Sequence, residues 1–267
     1  MTQAAVSYQI KVLEERVGGP LFTRGARGVT LTEAGRRLGP RVSDAFAQLR
    51  AAFEELSESA DGVLSLTVLN AFATNWLVPR LGAFQLQHPK LAVKLDVSSE
   101  MIDFAREDVD IGIRSGSGAW PGLTAHQLIP VAYTAMASPS LLPKLPPLNG
   151  PADLLQCPLI DPTDAWWLDW FAAAGLDAPD MSARREMRVF FQNLAGSAAI
   201  AGHGVALLTP AFFVDEIRSG RLVQLFPFVR EPGTFYWLVY RESRRRSPKI
   251  RAFRDWLLAE IGAPPIP

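Results

Sequence analysis

TQAAVSYQIKVLEERVGGPLFTRGARGVTLTEAGRRL, residues 2–38, reads as helix, turn, hairpin and second helix. Thr2 is an N-cap residue, and Gln3 to Arg16 contains neither Gly nor Pro. Val6, Ile10, Leu13 and Val17 recur at helical spacing and form one apolar face. Ser7, Tyr8, Lys11 and Glu14 fall on the other sides. Gly18 and Gly19 stop the helix, and Pro20 prevents its return. Leu21 and Phe22 then supply apolar anchors. Arg24 and Arg27 bracket Gly25 and Ala26 in a tight basic turn, and Thr30-Leu31-Thr32-Glu33 leads into a second long helix. A short helix with small and polar residues at its start, followed by a basic hairpin, suits a reader of DNA. The helix start approaches base edges while arginines hold phosphates. By pattern alone, an ordinary amphipathic helix and turn remains an equal alternative.

The literal string goes further. AVSYQIKVLEERVGGPLFTR…VTLTEAGRRL resembles the winged helix-turn-helix of LysR-type transcriptional regulators, whose pattern runs AVSxQIxxLExxLGxxLFxR…xxLTxAGxxL. The resemblance implies that residues 2–16 are the recognition helix, 22–30 the wing, and 32–58 a linker helix that dimerises. On it, Thr2, Gln3, Ser7, Tyr8 and Lys11 approach the major groove of double-stranded DNA, and Arg24 and Arg27 hold phosphate. The family carries about 25–30 residues before this helix, including the first helix of the helix-turn-helix. They are not in this sequence, and a misplaced or truncated start is the expected reason. A chain that binds ligand but has lost DNA binding is the alternative.

Charge agrees with a basic head. The 267 residues have 27 Lys and Arg against 27 Asp and Glu, a formal net charge of zero. Residues 1–41 hold Lys11, Arg16, Arg24, Arg27, Arg36, Arg37 and Arg41 against Glu14, Glu15 and Glu33, so the basic excess sits in the head. A single cysteine, Cys157, excludes an intrachain disulfide. The N-terminus lacks a signal-peptide pattern, and no apolar run approaches the ~20 residues that span a bilayer. The expected location is the cytoplasm, away from membranes.

Helix two extends to about Ser59 with the stripe Leu38, Val42, Ala45, Phe46, Leu49, Ala52, Phe53 and Leu56, which calls for a partner helix. Pro40 predicts a kink or break. After Asp61-Gly62, strand and helix alternate: strand 63–69, helix 73–87, strand 91–97, short helix 101–107, strand 109–113. This predicts a mostly parallel sheet flanked by helices. A second, Pro-rich unit follows, with helix 153–156, strand 158–160, helix 165–175, strand 186–190, helix 193–201, strand 205–208 and helix 210–220. Strand 235–240 and helix 248–261 close the chain. RESRRR, residues 241–246, is a basic cluster that could contact DNA but, between a strand and the last helix, reads better as a solvated loop.

The body resembles the same family's effector domain, in the branch that holds the glycine-cleavage activator and the β-lactamase regulator. WLVPRLGAFQLQHP (76–89), DFAREDVDIGIRSGSGAWPGL (103–123), WLDWFAAAGL (167–176), AAIAGHGVALL (198–208), GRLVQLF (220–226) and AFRDWLLAEI (252–261) carry that likeness. The implied fold is α/β: a partial winged helix-turn-helix head (1–31), a linker helix (32–60), and a two-lobe effector domain like periplasmic solute-binding proteins (61–262). Lobe one takes 63–136 plus 235–262, and lobe two takes 137–234. Homodimers or homotetramers are implied.

No catalytic constellation is visible. His88, His126 and His203 are widely separated, and no donor spacing supports a metal site or triad, so neither a cofactor nor an enzyme is expected. Ligands of open α/β units gather beyond the carboxyl ends of strands. Those ends carry Asn70, Thr74, Ser98, Ser99, Arg114, Ser115, Ser117, Gln192 and Asn193, with Phe72, Tyr133, Phe190 and Phe191 as apolar walls. Ser98, Ser99 and Thr134 also correspond to regions that line effector pockets in the family. Such groups suit a small organic anion or polar metabolite, although each alone is explained better as a capping or turn residue.

Overall fold

The computed structural model describes residues 2–25, 28–55, 61–100, 104, 109–177, 179–181, 184 and 187–262. The head begins with α1 (Gln3–Val17), capped by the Thr2 hydroxyl, which accepts the Ala5 amide at 3.3 Å. Gly18 ends it at φ +81°, a left-handed conformation that glycine adopts without strain. β1 (Phe22–Gly25) and β2 (Gly28–Leu31) pair as an antiparallel hairpin, and the Thr23 and Thr30 hydroxyls bond across it at 2.8 Å.

α2 (Glu33–Glu55) starts on Thr32. The Thr32 hydroxyl donates to the Pro20 carbonyl at 2.8 Å and accepts the Gly35 amide at 3.0 Å, so one side chain both caps the helix and ties it to the turn. A Cβ on Gly35 would lie 2.2 Å from the Leu21 carbonyl oxygen, so only glycine permits this approach. The helix runs unbroken through Pro40, and the break expected there is absent. Leu56 and the predicted helix end fall outside the described residues.

Lobe one is built on a five-stranded sheet of order β4-β3-β5-β10-β6. Its strands are β3 (Gly62–Val68), β4 (Leu91–Val97), β5 (Ile111–Gly116), β6 (Leu123–Pro130) and β10 (Phe235–Arg241). β3 is parallel to β4 and β5, but β10 is antiparallel to β5 and β6. The sheet is therefore mixed, not mostly parallel. Connectivity is the reason: β10 returns from lobe two at the end where β5 finishes, pairing Phe235 with Gly116. Between β3 and β4, a wide π-helical turn (Phe72–Leu77) runs into α3 (Val78–Gln87). The helix predicted over 101–107 falls outside the described residues except for Phe104, which is buried.

Lobe two has a three-stranded antiparallel sheet of order β8-β7-β9. Its strands are β7 (Thr134–Ala137), β8 (Ala206–Leu208) and β9 (Val223–Gln224). Its helices are α4 (Ala165–Ala173), α5 (Gln192–Ile200) and α6 (Val214–Arg218). The outward crossing between sheets is thus 131–133, a few residues before the boundary expected after 136. It runs against the returning segment, with Tyr133 and Arg230 exchanging backbone hydrogen bonds at 3.0 and 2.9 Å.

Two more expectations change here. Met187–Phe190 forms no strand, because of its side chains only Val189 finds partial cover. The predicted helix 210–220 splits into a 3₁₀ turn (Pro210–Phe212) and α6, since Phe213 leaves helical conformation to bury its ring. α7 (Pro248–Gly262) closes the chain on lobe one, burying Ile250, Phe253, Trp256 and Leu257.

A continuous apolar core joins the lobes. Phe72 of lobe one, Phe212 of lobe two and Tyr236 of β10 form a triangle with ring centroids 5.2–5.8 Å apart. All three are buried, so this junction between the lobes is dry.

The 241–246 segment is only partly a solvated loop. It forms a 3₁₀ turn (Glu242–Arg244), and Arg244 is buried against Asp110, with Nη1 to Oδ1 at 2.5 Å. Lys249 Nζ reaches the other Asp110 oxygen at 2.7 Å. A buried carboxylate requires such partners.

Candidate functional site

Two regions carry the expected chemistry. In the head, a groove of about 630 Å³ lies between α1 and the hairpin, lined by Gln3, Ser7, Ile10, Lys11, Glu14, Phe22, Gly25, Gly28 and Val29. Gln3, Ser7 and Lys11 are spaced four residues apart and so share one face of α1. Lys11 is exposed and pairs loosely with Glu15 at 3.9 Å. Tyr8 is exposed elsewhere on α1, and Thr2 is spent on its cap. Arg24 sits in β1, its side chain outside the described residues, as is all of Arg27. The turn has a strut the sequence did not suggest: Glu14 Oε1 accepts the Leu21 amide at 2.7 Å and the Phe22 amide at 3.2 Å. No residue of α1 is buried.

In the body, the polar groups of interest lie at the ends of β3 and β8, in the first turn of α5 and on β10. Asn70 follows β3, and Asn193 lies in the first turn of α5. The carbonyl oxygen of each side chain is shielded from solvent and has no hydrogen-bond partner. Such atoms cost free energy unless something bonds them. Gln192 Oε1 accepts the Thr209 amide at 2.8 Å, fixing α5 to the end of β8. Thr209 is fully buried and faces the Tyr236 hydroxyl without closing a well-formed hydrogen bond. Burial pushes the Tyr236 hydroxyl up to about 12, so it stays a neutral donor at physiological pH.

Several expected wall residues are elsewhere. Phe72 is sealed in the interlobe triangle and offers no face to a ligand. Tyr133 is buried, stacked on Trp166 at 4.1 Å, and its hydroxyl donates to Asp169. Thr134 is buried, and its hydroxyl donates to the Phe228 carbonyl at 2.6 Å. Arg114 is also buried, bonding the Thr67 hydroxyl at 2.9 Å. In each case a tertiary partner absorbs a group that had been expected at the cleft. Thr74 donates to the Asn70 carbonyl at 3.0 Å, and Ser98 accepts the Glu100 amide at 3.1 Å, both local turn roles. Ser99 and Phe191 are exposed, and Phe190 is 89% exposed.

Thr209, Phe212 and Tyr236 were not anticipated. Thr209 ends a strand just as Asn70 does, so the same rule could have flagged it. Among the described residues, no His, Cys, Asp and Glu cluster could hold a metal ion, and no helix is long and apolar enough to cross a membrane.

Residues 57–262 match the model of the LysR substrate binding domain, and residues 1–36 match that of the bacterial regulatory helix-turn-helix protein, lysR family. The chain belongs to the LysR family. As a LysR-type transcriptional regulator, it combines a helix-turn-helix head with a two-lobe effector-binding domain. The match over the head favours this reading over a ligand-binding module alone, and the family's regulators are not enzymes. The HTH-type transcriptional activator AmpR of Pseudomonas aeruginosa is 39% identical over 263 residues, which cover 97% of this chain and 86% of that protein. The glycine cleavage system transcriptional activator of Escherichia coli K12 is 36% identical over 266 residues, covering 98% and 86%. The solved effector domain of Pseudomonas aeruginosa AmpR superposes with a TM-score of 0.64 at 34% identity, over 75% of this chain and 96% of that one. CrgA of Neisseria meningitidis, a LysR-type transcriptional regulator, superposes with a TM-score of 0.67 at 26% identity, over 98% of this chain and 91% of that one.

Proposed function

We propose that α1 and the hairpin read operator DNA while the interlobe cleft binds a small polar metabolite or organic anion. In this reading Gln3, Ser7, Tyr8 and Lys11 approach base edges, Thr2 orients the helix start, and Arg24 and Arg27 hold phosphate. The protein works in the cytoplasm. Asn70 and Asn193 are the principal effector contacts, with Thr209 and Tyr236 behind them and Ser98, Ser99 and Thr74 at the rim. Phe190 is an exposed apolar wall. The observation that carries the cleft reading is the pair of shielded, unpartnered amide oxygens of Asn70 and Asn193, one from each lobe. A ligand that donates to both stabilises lobe closure, because it binds the closed state more tightly.

Two copies pair through α2, whose apolar stripe is uncovered: Phe46 is 63% and Phe53 73% exposed. Exposed rings at helical spacing favour a partner helix. Tetramers would follow from a second contact between effector domains.

The test is fluorescence anisotropy with the intergenic DNA beside the protein's own gene, at two salt concentrations. Saturable binding that weakens steeply with salt is expected. Salt-insensitive or absent binding by the full-length protein overturns the DNA reading.

A further inference from the structure

The arginine turn at residues 241–246 faces two ways. Arg244 points into lobe one and bonds Asp110 at the root of β5, with side chains 8% and 4% exposed. Arg241 points out to the linker helix, where Nη2 lies 2.8 Å from Asp44 Oδ1, with side chains 12% and 51% exposed. The inner pair is sealed from solvent. The outer pair stands at the edge of solvent.

The surroundings of the outer pair are polar. A crevice of about 660 Å³ runs between α2 and the turn, lined by Asp44, Gln48 and Ala52 of the helix and by Gly122, Ser243 and Arg245 opposite. The large apolar side chains of α2, Phe46, Leu49 and Phe53, are exposed instead of packed into this joint. Little apolar area therefore holds the linker against lobe one. A contact of this kind opens at far lower cost than a core contact.

Arg241 itself is rigidly held. It ends β10 opposite Leu123, and the next amide, Glu242, bonds the Gly122 carbonyl at 3.1 Å. β10 carries Tyr236 at its other end, five residues away, in ring contact with Phe72 and Phe212 at the junction between the lobes. At strand rise this is about 17 Å. One strand therefore has the lobe–lobe contact at one end and the linker contact at the other.

We infer that Asp44 and Arg241 are positioning residues for the DNA-reading head: their ion pair sets the angle between linker helix and effector domain. The inference rests on the regulator reading above. When the pair opens, α2 swings relative to lobe one, and the spacing of the two heads in a dimer changes with it. A ligand that moves Tyr236 then acts on the same strand that holds the latch.

The test uses the full-length protein with Asp44→Arg, Arg241→Asp and the double exchange. Asp44→Ala is added as a mild variant, because Asp44 is half exposed on a helix. Small-angle scattering reads the linker angle without DNA, and footprinting on the intergenic fragment reads head spacing. The single variants are expected to enlarge the radius of gyration, alter the footprint and shift the apparent DNA affinity by roughly three- to tenfold. The double exchange is expected to restore all three, with thermal unfolding near that of the parent. Single variants that match the parent in scattering and footprint overturn the inference. So does a double exchange that fails to restore them. If the parent itself leaves no footprint, the regulator reading fails, while scattering still decides the latch.

Discussion

The Glu14 carboxylate accepts the amide of Leu21 at 2.7 Å, so the turn after the first helix hangs on a side chain from that helix. The same oxygen takes the Phe22 amide, and the Leu21 carbonyl in turn accepts the Thr32 amide at 3.0 Å. Hairpin, turn and linker are locked to α1 through these few bonds. Removing the carboxylate with Glu14→Ala is expected to cost about 1–3 kcal/mol, because two amides lose a charged acceptor. Denaturant unfolding of the head measures this, and Glu14→Gln should recover part of the loss.

Lys11→Ala tests the DNA face. The side chain is exposed and its pairing with Glu15 is loose, so stability should change by less than ~0.5 kcal/mol. With Lys11 at a base edge, the loss of affinity is expected to depend on DNA sequence, with little change in the slope of log affinity against log salt. A uniform loss for every sequence, with the slope reduced by about one, would instead assign Lys11 to a phosphate.

Asn193→Leu separates a ligand role from a structural one. A shielded amide oxygen without a partner contributes nothing to the empty fold, so replacing it is expected to leave stability within about 1 kcal/mol. The transcriptional response to the inducing condition should fall by tenfold or more, the scale of one lost buried hydrogen bond. A large drop in melting temperature with a normal response would make Asn193 a structural residue.

Phe212→Ala attacks the lobe–lobe contact. Its ring lies edge-on to Phe72 at 5.8 Å and to Tyr236 at 5.2 Å, all three buried. Truncation should cost about 3–5 kcal/mol, measured by chemical denaturation. Phe212→Leu should cost much less and loosen closure more than folding.

Asp169 gives the effector domain an acid-sensitive joint. Arg230 bonds it twice, at 2.7 and 3.0 Å, and Tyr133 adds a third bond. These partners, Arg230 first, hold its carboxyl below the usual carboxylate range. A depressed folded value stabilises the protein above the ordinary range, and that contribution disappears as pH falls through the depressed value. Asp169→Asn should therefore flatten the acid limb of the stability curve. The effect is expected to be small, since both side chains are about a third exposed and solvent screens them.

The head was legible because its signals are local. Thr2 caps the first helix and Gly18 ends it, each within a few residues of what it acts on. The body was legible as a succession of elements but less so as a sheet. The direction of β10 is fixed by its return from the second lobe, which no local pattern encodes. Phe72 and Tyr133 were read as apolar walls of the cleft, and Thr134 as a pocket residue through the family likeness. Their partners, Phe212, Asp169 and Phe228, come from distant parts of the sequence. Arg241 and Arg244 were hidden among like charges, since composition alone does not tell a buried arginine from a solvated one.

The wide turn from Phe72 to Leu77, where the Val78 amide reaches back to Ala73, has a history written into it. A π-helical turn holds one residue more than the α-helical turn it replaces. Deleting a single residue there would leave a continuous helix, yet rotate everything upstream by about 100° about its axis. Asn70 would swing away from the cleft and Phe72 out of its seat. Insertions and deletions should therefore be purged from these six positions even though the helix itself would survive them. A relative that has lost the extra residue is expected to answer to a different signal.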